Sequence, residues 1–600
     1  MKTMPVLAIM VGGALSWLAG CISPADEADG DVAPGQVAHA GAPPPRRVVI
    51  VLFDQMVPSY ADELAMPNFR RIRDAGTHFK NAHLGYMASE TVIAHNVITS
   101  GQSPEHMGWV DEAYRDSTNL LGHGVDAMYT TGAWSLADFT TVVNAAGYPK
   151  LADYLHAAYP GTKFIAVGEK SYAVESAVAG SGDIGVRLSS RSSGSLFNSC
   201  RTTLGGRYRF PAGKNVPAYL LGGGAAECNR FFINSDSGND YGSRTAFPSW
   251  LYPGDGNRFV PGTDPAHLGG DVWVTDAAIA MMTNEPWSGM FVTLGGIDKA
   301  GHMWGAQTDT GPQDCSTGAG QSHVRCAAEI ADAQLGRLLD QIAATDAVRG
   351  GETLVVLTAD HGATHGEQFY GKTTLGASDS NWYYAPTGVW DGGVLIPPTD
   401  PLYNQPAPAL QPLIATGNIQ FSYQSTAVEA WLIDRAPDRM REAAAAALTL
   451  PGATAAYYRD GAGFRLHGTN PMTKAERRWW RKHGQEIVDT LASANGPDIV
   501  ALLHDKVSYG VYGDHGGASE SVQRVPMVFW SPSLAPADRP GREFETVDVM
   551  PTILRAMNIP LTAPLDGEAH RLERGDGDGP HDDDDGDDDD HDDDDDGHGD

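Results

Sequence analysis

Basic residues are scarce in this chain. Its 600 residues hold 42 Lys and Arg against 75 Asp and Glu, a net charge of −33 at pH 7. A surface with that balance repels nucleic-acid backbones, so duplex binding is not expected. Cysteine is scarcer still, five in all. Cys200, Cys228, Cys315 and Cys326 are spaced too widely for a compact zinc knuckle. Past the first twenty-one residues no apolar run is long enough to cross a bilayer. The length leaves room for a large domain with insertions rather than one simple core.

The two ends are present for other reasons than folding. Lys2 followed by the apolar stretch 6–18 reads as a secretory signal, and Leu18-Ala19-Gly20-Cys21 resembles a bacterial lipobox. That resemblance implies cleavage before Cys21, lipidation of its thiol, and a place in the cell envelope or periplasm, anchored to a membrane. Residues 22–45 are rich in Ala, Pro, Gly and Asp and read as a flexible tether. Residues 575–600 hold sixteen Asp and no Lys or Arg. Like charges at that density cannot bury a core, so a solvating, disordered tail is expected. Loose divalent-cation binding there, helped by His581, His591 and His598, is the functional alternative. In an exported chain the four remaining cysteines suggest two disulfides. The sequence-local pairing, Cys200–Cys228 with Cys315–Cys326, closes the shortest loops; free thiols are the alternative.

Between the ends, residues 46–572 alternate strands with helices. Arg47–Phe53, 163–167, 290–294, 354–357 and 525–530 read as buried strands, and 150–159 and 324–344 as helices. That alternation predicts an α/β fold, a largely parallel central sheet with helices on both faces. The stretches near 171–285 and 366–510 read as inserted cap segments. Ligands of such sheets gather at the carboxyl ends of strands. Asp54, Asp298, Asp360 and His361 fall there, the last two in Ala359-Asp360-His361-Gly362.

Three Asp and three His, supplied by Asp54, Asp298, His302, Asp360, His361 and His515, suffice for two metal ions. Asp298 and His302 share one face if a helical turn forms. His83, His95, His106, His365 and His504 read as ordinary polar residues. A nucleophile is expected in the segment 88–101, where Ser89, Thr91 and Thr99 compete. Thr91 stands before the apolar run Val92-Ile93-Ala94, at what reads as a helix start with its positive end aimed at an anion. Composition leaves the three open.

The order Asp54, Thr91, Asp298-x-x-x-His302, Asp360-His361-Gly362, His515-Gly516-Gly517 resembles the alkaline phosphatase superfamily. It looks closest to the branch of type I phosphodiesterases/nucleotide pyrophosphatases and threonine-dependent alkaline phosphatases. Residues 66–76, 546–554 and Leu565-Asp566-Gly567 resemble the early helix and closing segment of that family. The resemblance implies an alkaline-phosphatase-like fold and Thr91 as nucleophile. It implies two zinc ions, one held by Asp54, Thr91, Asp360 and His361, the other by Asp298, His302 and His515. The implied reaction is in-line attack on a phosphate-ester substrate, a covalent phospho-threonine and its hydrolysis.

Two positions depart from the family. Glu112 stands where the family commonly has Asn, and Tyr172 where the threonine-dependent monoesterases have Arg; Lys170 matches. These three would contact substrate. The expected function is a phosphodiesterase-like hydrolase. A phosphomonoesterase is the alternative, and a catalytically silent metal-binding surface lipoprotein is the rival from another class.

Overall fold

The computed structural model describes residues 43–188, 208–209, 211–221, 233–234, 268–306, 323–364, 368–370, 383–400, 404, 406–510 and 513–572. Cys21, Cys200, Cys228, Cys315, His365 and the Asp-rich tail lie outside these residues. Cys326 is described and buried.

Arg47–Phe53, RVVIVLF, is buried at every position. So are Trp287–Leu294 and Thr353–Thr358. Successive side chains of a strand point to opposite faces, so uninterrupted burial means that both faces of the sheet are covered. Arg47–Phe53 lies between the other two and runs parallel to each. Lys163–Gly168 and Ile184–Leu188 extend the parallel run on the Trp287–Leu294 side. The whole sheet has nine strands. Pro211–Lys214 closes one edge, and Met527–Trp530, Thr77–His83 and Ala537–Glu545 complete the other.

The expected α/β architecture is present, with two differences at the margins. Met527–Trp530 is a strand, but antiparallel to Thr353–Thr358. Within the stretch read as an insertion near 171–285, Ser171–Val178 forms a helix and Ile184–Leu188 and Pro211–Lys214 join the central sheet. The stretch 366–510 supplies a separate six-stranded sheet, in the order Tyr383–Tyr384, Ile419–Gln424, Ala427–Leu432, Ile499–Leu503, Ala453–Asp460, Gly463–Thr469. Among the described residues no helix is long and apolar enough to cross a membrane.

A buried ion pair fastens this second sheet to a further, four-stranded sheet that holds Ala113–Asp116. Arg115, on the strand Ala113–Asp116, meets Asp498 with two parallel bonds, Nη1 to Oδ2 at 2.8 Å and Nη2 to Oδ1 at 3.1 Å. Both side chains are under 5 % exposed, at 3 % and 4 %. Asp498 Oδ2 also accepts from the Leu432 backbone N–H at 2.8 Å. Removing one partner leaves the other charged and dry, which costs about 3–5 kcal/mol. Asp498→Ala is therefore expected to lower stability by that amount. Urea unfolding of the variant beside the parent measures it, and a loss under about 1 kcal/mol, the range of an exposed pair, would show that the bridge is not a fastening.

Candidate active site

Asp54 follows directly on the strand Arg47–Phe53, and its backbone N–H donates to Leu294 O at 3.0 Å. Gln55, next in line, adopts the left-handed conformation at φ 64°, unusual without a glycine. The turn aims the Gln55 N–H at Asp360 Oδ1, 3.1 Å away, and its side-chain amide at Gly513 O, 2.9 Å away. One strained residue thus ties together the three segments that carry Asp54, Asp360 and His515.

Thr91 is the first residue of the helix Thr91–Ser100, which is buried along its whole length. Its Oγ1 lies 3.4 Å from His361 Nε2 and accepts from Lys170 Nζ at 3.1 Å. The two competing hydroxyls are otherwise engaged. Ser89 Oγ accepts from the backbone N–H groups of Gly516 and Gly517 at 2.8 and 2.9 Å. Thr99 Oγ1 donates to His95 O at 2.7 Å, one turn back in the helix. Of the three hydroxyls, that of Thr91 is the one that meets the other candidate site residues among the described residues.

Asp298 and His302 do share a helical face, on Gly296–Trp304, with His302 Nε2 2.9 Å from Asp298 Oδ1. His515 Nε2 comes within 3.3 Å of His302 Nε2 and 3.6 Å of Asp298 Oδ1. His361 Nε2 is 3.6 Å from Asp54 Oδ1 and 3.5 Å from Asp360 Oδ2. The rings of His361 and His515 stack at 3.6 Å. Among the described residues two groups have donor atoms close enough to share an ion: Asp298, His302 and His515, and Asp54, Asp298 and His361. The first is the expected set. The second differs from the expectation by having Asp298 within reach where Asp360 was expected.

The donors fit divalent cations. The buried Oδ1 of Asp54 and Oδ2 of Asp360 accept no hydrogen bond among the described residues, and orphaned carboxylate oxygens are costly unless a cation meets them. His361 Nδ1 faces Gly362 O at 3.1 Å, and His515 Nδ1 faces Ser89 O at 2.9 Å. A proton held on Nδ1 in each ring leaves the Nε2 lone pair for a metal.

Charge in the site is concentrated and largely dry. Burial holds the Asp54 carboxyl well above the usual carboxylate range, and repulsion from Asp298 and Asp360 adds to it. Burial would also raise Asp298, but His302 and Lys170 outweigh it and hold that carboxyl well below its usual range. Lys170 Nζ sits 2.8 Å from Asp54 Oδ2 and 2.7 Å from Asp298 Oδ2. The expected substrate lysine therefore does reach the centre of the site. Tyr172 lies beside it, its ring centroid 5.9 Å from Lys170 Nζ. Glu112 is buried, with its Oε2 accepting from Tyr383 OH at 3.4 Å. Burial, then repulsion from Glu90, push the Glu112 carboxyl up to about 8. A carboxyl with that pKa is mostly neutral at pH 7.

Glu90 and Tyr423 escaped the sequence reading. Glu90 Oε2 is 2.9 Å from His515 Nδ1, and its Oε1 accepts from Tyr423 OH at 2.7 Å. A carboxylate behind a ligand histidine fixes the ring and its tautomer. Gly516 makes room: it sits at φ 90°, and a Cβ there would lie 2.0 Å from Glu90 Oε1. The acid before Thr91 was visible in the sequence. Tyr423 was not, because only the register of the second sheet brings it across 333 residues. His95 is satisfied, as expected, by Thr91 O at 2.7 Å and Thr293 Oγ1 at 2.8 Å, and burial lowers its pKa to about 3.

The type I phosphodiesterase / nucleotide pyrophosphatase family matches over residues 48–140, which include Asp54, Thr91 and Glu112. No curated protein sequence matches. Among solved structures, a multiply substituted variant of the alkaline phosphatase PafA is 15% identical, with a TM-score of 0.55, covering 87% of this chain and 97% of its own. Wild-type PafA is 14% identical over the same shares, with a TM-score of 0.52. Murine ectonucleotide pyrophosphatase / phosphodiesterase 5 is 11% identical over the same shares, at 0.44. The fold is that of the alkaline phosphatases. Over residues 48–140 the chain resembles the type I phosphodiesterase / nucleotide pyrophosphatase family, and the match supports a phosphoric-ester hydrolase.

Proposed function

We propose that this protein hydrolyses phosphoric esters with Thr91 as nucleophile and two divalent metal ions, zinc in character, as cofactors. The observation that carries the reading is the position of Thr91 Oγ1. It stands at the start of a buried helix, 3.1 Å from Lys170 Nζ and 3.4 Å from His361 Nε2. Asp54, Thr91, Asp360 and His361 would hold one ion, and Asp298, His302 and His515 the other, with Asp298 near enough to serve both. Bound there, the ions would supply positive charge that favours the Thr91 alkoxide and offsets charge on the transferring group.

The residues of the chain do the rest. Thr91 Oγ attacks phosphorus, the new O–P bond forms, and the ester O–P bond opposite it breaks. The alcohol leaves and takes up a proton, and water then cleaves phospho-Thr91. The first N–H groups of the helix Thr91–Ser100 are oriented toward the anion. Lys170 places a cation against its oxygens and Glu90 keeps His515 in one orientation. Intact Thr91 and all six ligands disfavour a catalytically silent surface protein.

Diesters are the proposed substrates. A diester carries one negative charge and a monoester close to two. Tyr172 offers no bidentate partner for a second anionic oxygen, and an ionised Glu112 repels it. Lys170, so near Thr91, favours the monoesterase reading. At about 5 Å and an effective dielectric near 20, one extra charge costs about 3 kcal/mol, an upper bound of about a hundredfold in rate. A carboxyl raised to about 8 is mostly neutral at pH 7 and ionised above pH 8, so repulsion grows as pH rises. Bound cations would lower that pKa, and at about pH 9 the group is charged in either case. The ratio of kcat/KM for a bis-aryl phosphate to that for the aryl monoester is therefore expected to exceed one at pH 9. In Glu112→Asn it falls toward the monoester by about tenfold or more. A parent ratio well below one that the substitution leaves unchanged establishes a monoesterase.

Export and anchoring belong to the same proposal. If Leu18-Ala19-Gly20-Cys21 directs lipidation, Cys21→Ser moves the protein from the membrane fraction to the soluble one. Unchanged fractionation would reject a lipid on Cys21.

A further inference from the structure

His83, read from the sequence as an ordinary polar residue, is 1% exposed, and its Nε2 makes no hydrogen bond among the described residues. It ends the strand Thr77–His83, directly opposite Glu545 on the parallel strand Ala537–Glu545. Glu543 lies two residues earlier on the same face of that strand. His83 Nε2 points to this row and is 3.4 Å from Glu545 Oε1. The other ring nitrogen, Nδ1, faces Asn81 O at 3.4 Å, which favours the tautomer with a free lone pair on Nε2.

A second imidazole arrives from another part of the chain. His483 belongs to the five-residue π-helical turn Trp480–Gly484, a geometry that recurs at functional sites. Its ring lies 4.8 Å from that of His83, and its Nε2 is 3.8 Å from Glu543 Oε1. Trp479 floors the cluster, 4.2 Å from the His483 ring and 5.8 Å from the His83 ring.

We propose that His83, His483, Glu543 and Glu545 form a further divalent-cation site that shares no residue with the catalytic cluster. Two imidazoles and two carboxylates are a ligand set for zinc or a zinc-like ion. Unlike the two catalytic groups, no three of these donors lie within 4.8 Å of one another. Glu543 and Glu545 are 41% and 35% exposed and close around an ion by side-chain rotation. Lys482, which now pairs with Glu543, is 59% exposed and swings into solvent. Arg524, stacked over Trp479 at 4.8 Å, keeps its own partner Glu520. An ion there would join the edge strands of the central sheet to the turn at 480–484.

Cobalt(II) tests the proposal, because low-coordinate imidazole–carboxylate ligation gives it visible bands far stronger than those of hydrated cobalt, and any cobalt on the Asp-rich tail is common to the parent and the variants. The full-length protein, stripped of metal, is titrated with cobalt against a chelator. The parent is expected to bind one equivalent more than Glu545→Gln and His483→Ala. Those variants should keep the bands and the phosphoric-ester hydrolase activity of the catalytic pair. His515→Ala should instead lose bands of the catalytic pair and keep the additional equivalent. Glu545→Gln, at a half-exposed position, keeps the test valid if His483→Ala folds poorly. Equal cobalt uptake and equal spectra in the parent and Glu545→Gln would overturn the proposal.

Discussion

Thr91→Ala is expected to lower turnover of a bis-aryl phosphate by on the order of 10⁴-fold or more while the protein keeps its fold and its metal. The loss is large because no other hydroxyl can take the position. Ser89 Oγ is held by the Gly516 and Gly517 amides, and Thr99 Oγ1 by His95 O. Metal is retained because Asp54, Asp298, His302, Asp360, His361 and His515 remain. The fold is retained because Thr91 is small and its side chain touches only Lys170 and His361 among the hydrogen-bonding partners. Steady-state rates with parallel metal analysis check both halves. Activity near that of the parent would remove Thr91 from the chemistry.

His515→Ala should have an effect of similar size by another route. The proposed second ion would keep only Asp298 and His302, and two protein ligands hold a zinc-like ion poorly. Metal content is expected to fall from about two catalytic ions to about one, and kcat/KM on the order of a thousandfold or more. Stability should fall as well. Removing a cation leaves buried carboxylates facing one another, with Lys170 as their nearest countercharge. Elemental analysis and a melting curve measure these effects. Turnover by a metal-free preparation would reject metal chemistry altogether.

The part of the site legible in the sequence was the part carried on continuous elements. The apolar run 354–357 forms the middle of the Thr353–Thr358 strand, so the run alone places Asp360 and His361 just past its exit. Asp298 and His302 are four apart on one helix, a spacing that fixes their proximity. Thr77–His83 was missed for the opposite reason. Its sequence, THFKNAH, alternates imperfectly, and it is a strand because Ala537–Glu545 pairs with it from more than 450 residues away. Tyr423 on Glu90 likewise depends on strand pairing in the second sheet. Glu112 shows a further limit. Its place in the sequence identified it as a departure, but its charge depends on burial and on Glu90, which no local reading gives.

The stereochemical course at phosphorus tests the central claim most directly, because it does not require the intermediate to accumulate. An isotopically chiral phosphate ester is hydrolysed by the purified protein and the configuration of the product is determined. Attack by Thr91 followed by attack of water inverts phosphorus twice, so net retention is predicted. Net inversion would mean that water attacks the ester directly, and would contradict a covalent phospho-Thr91.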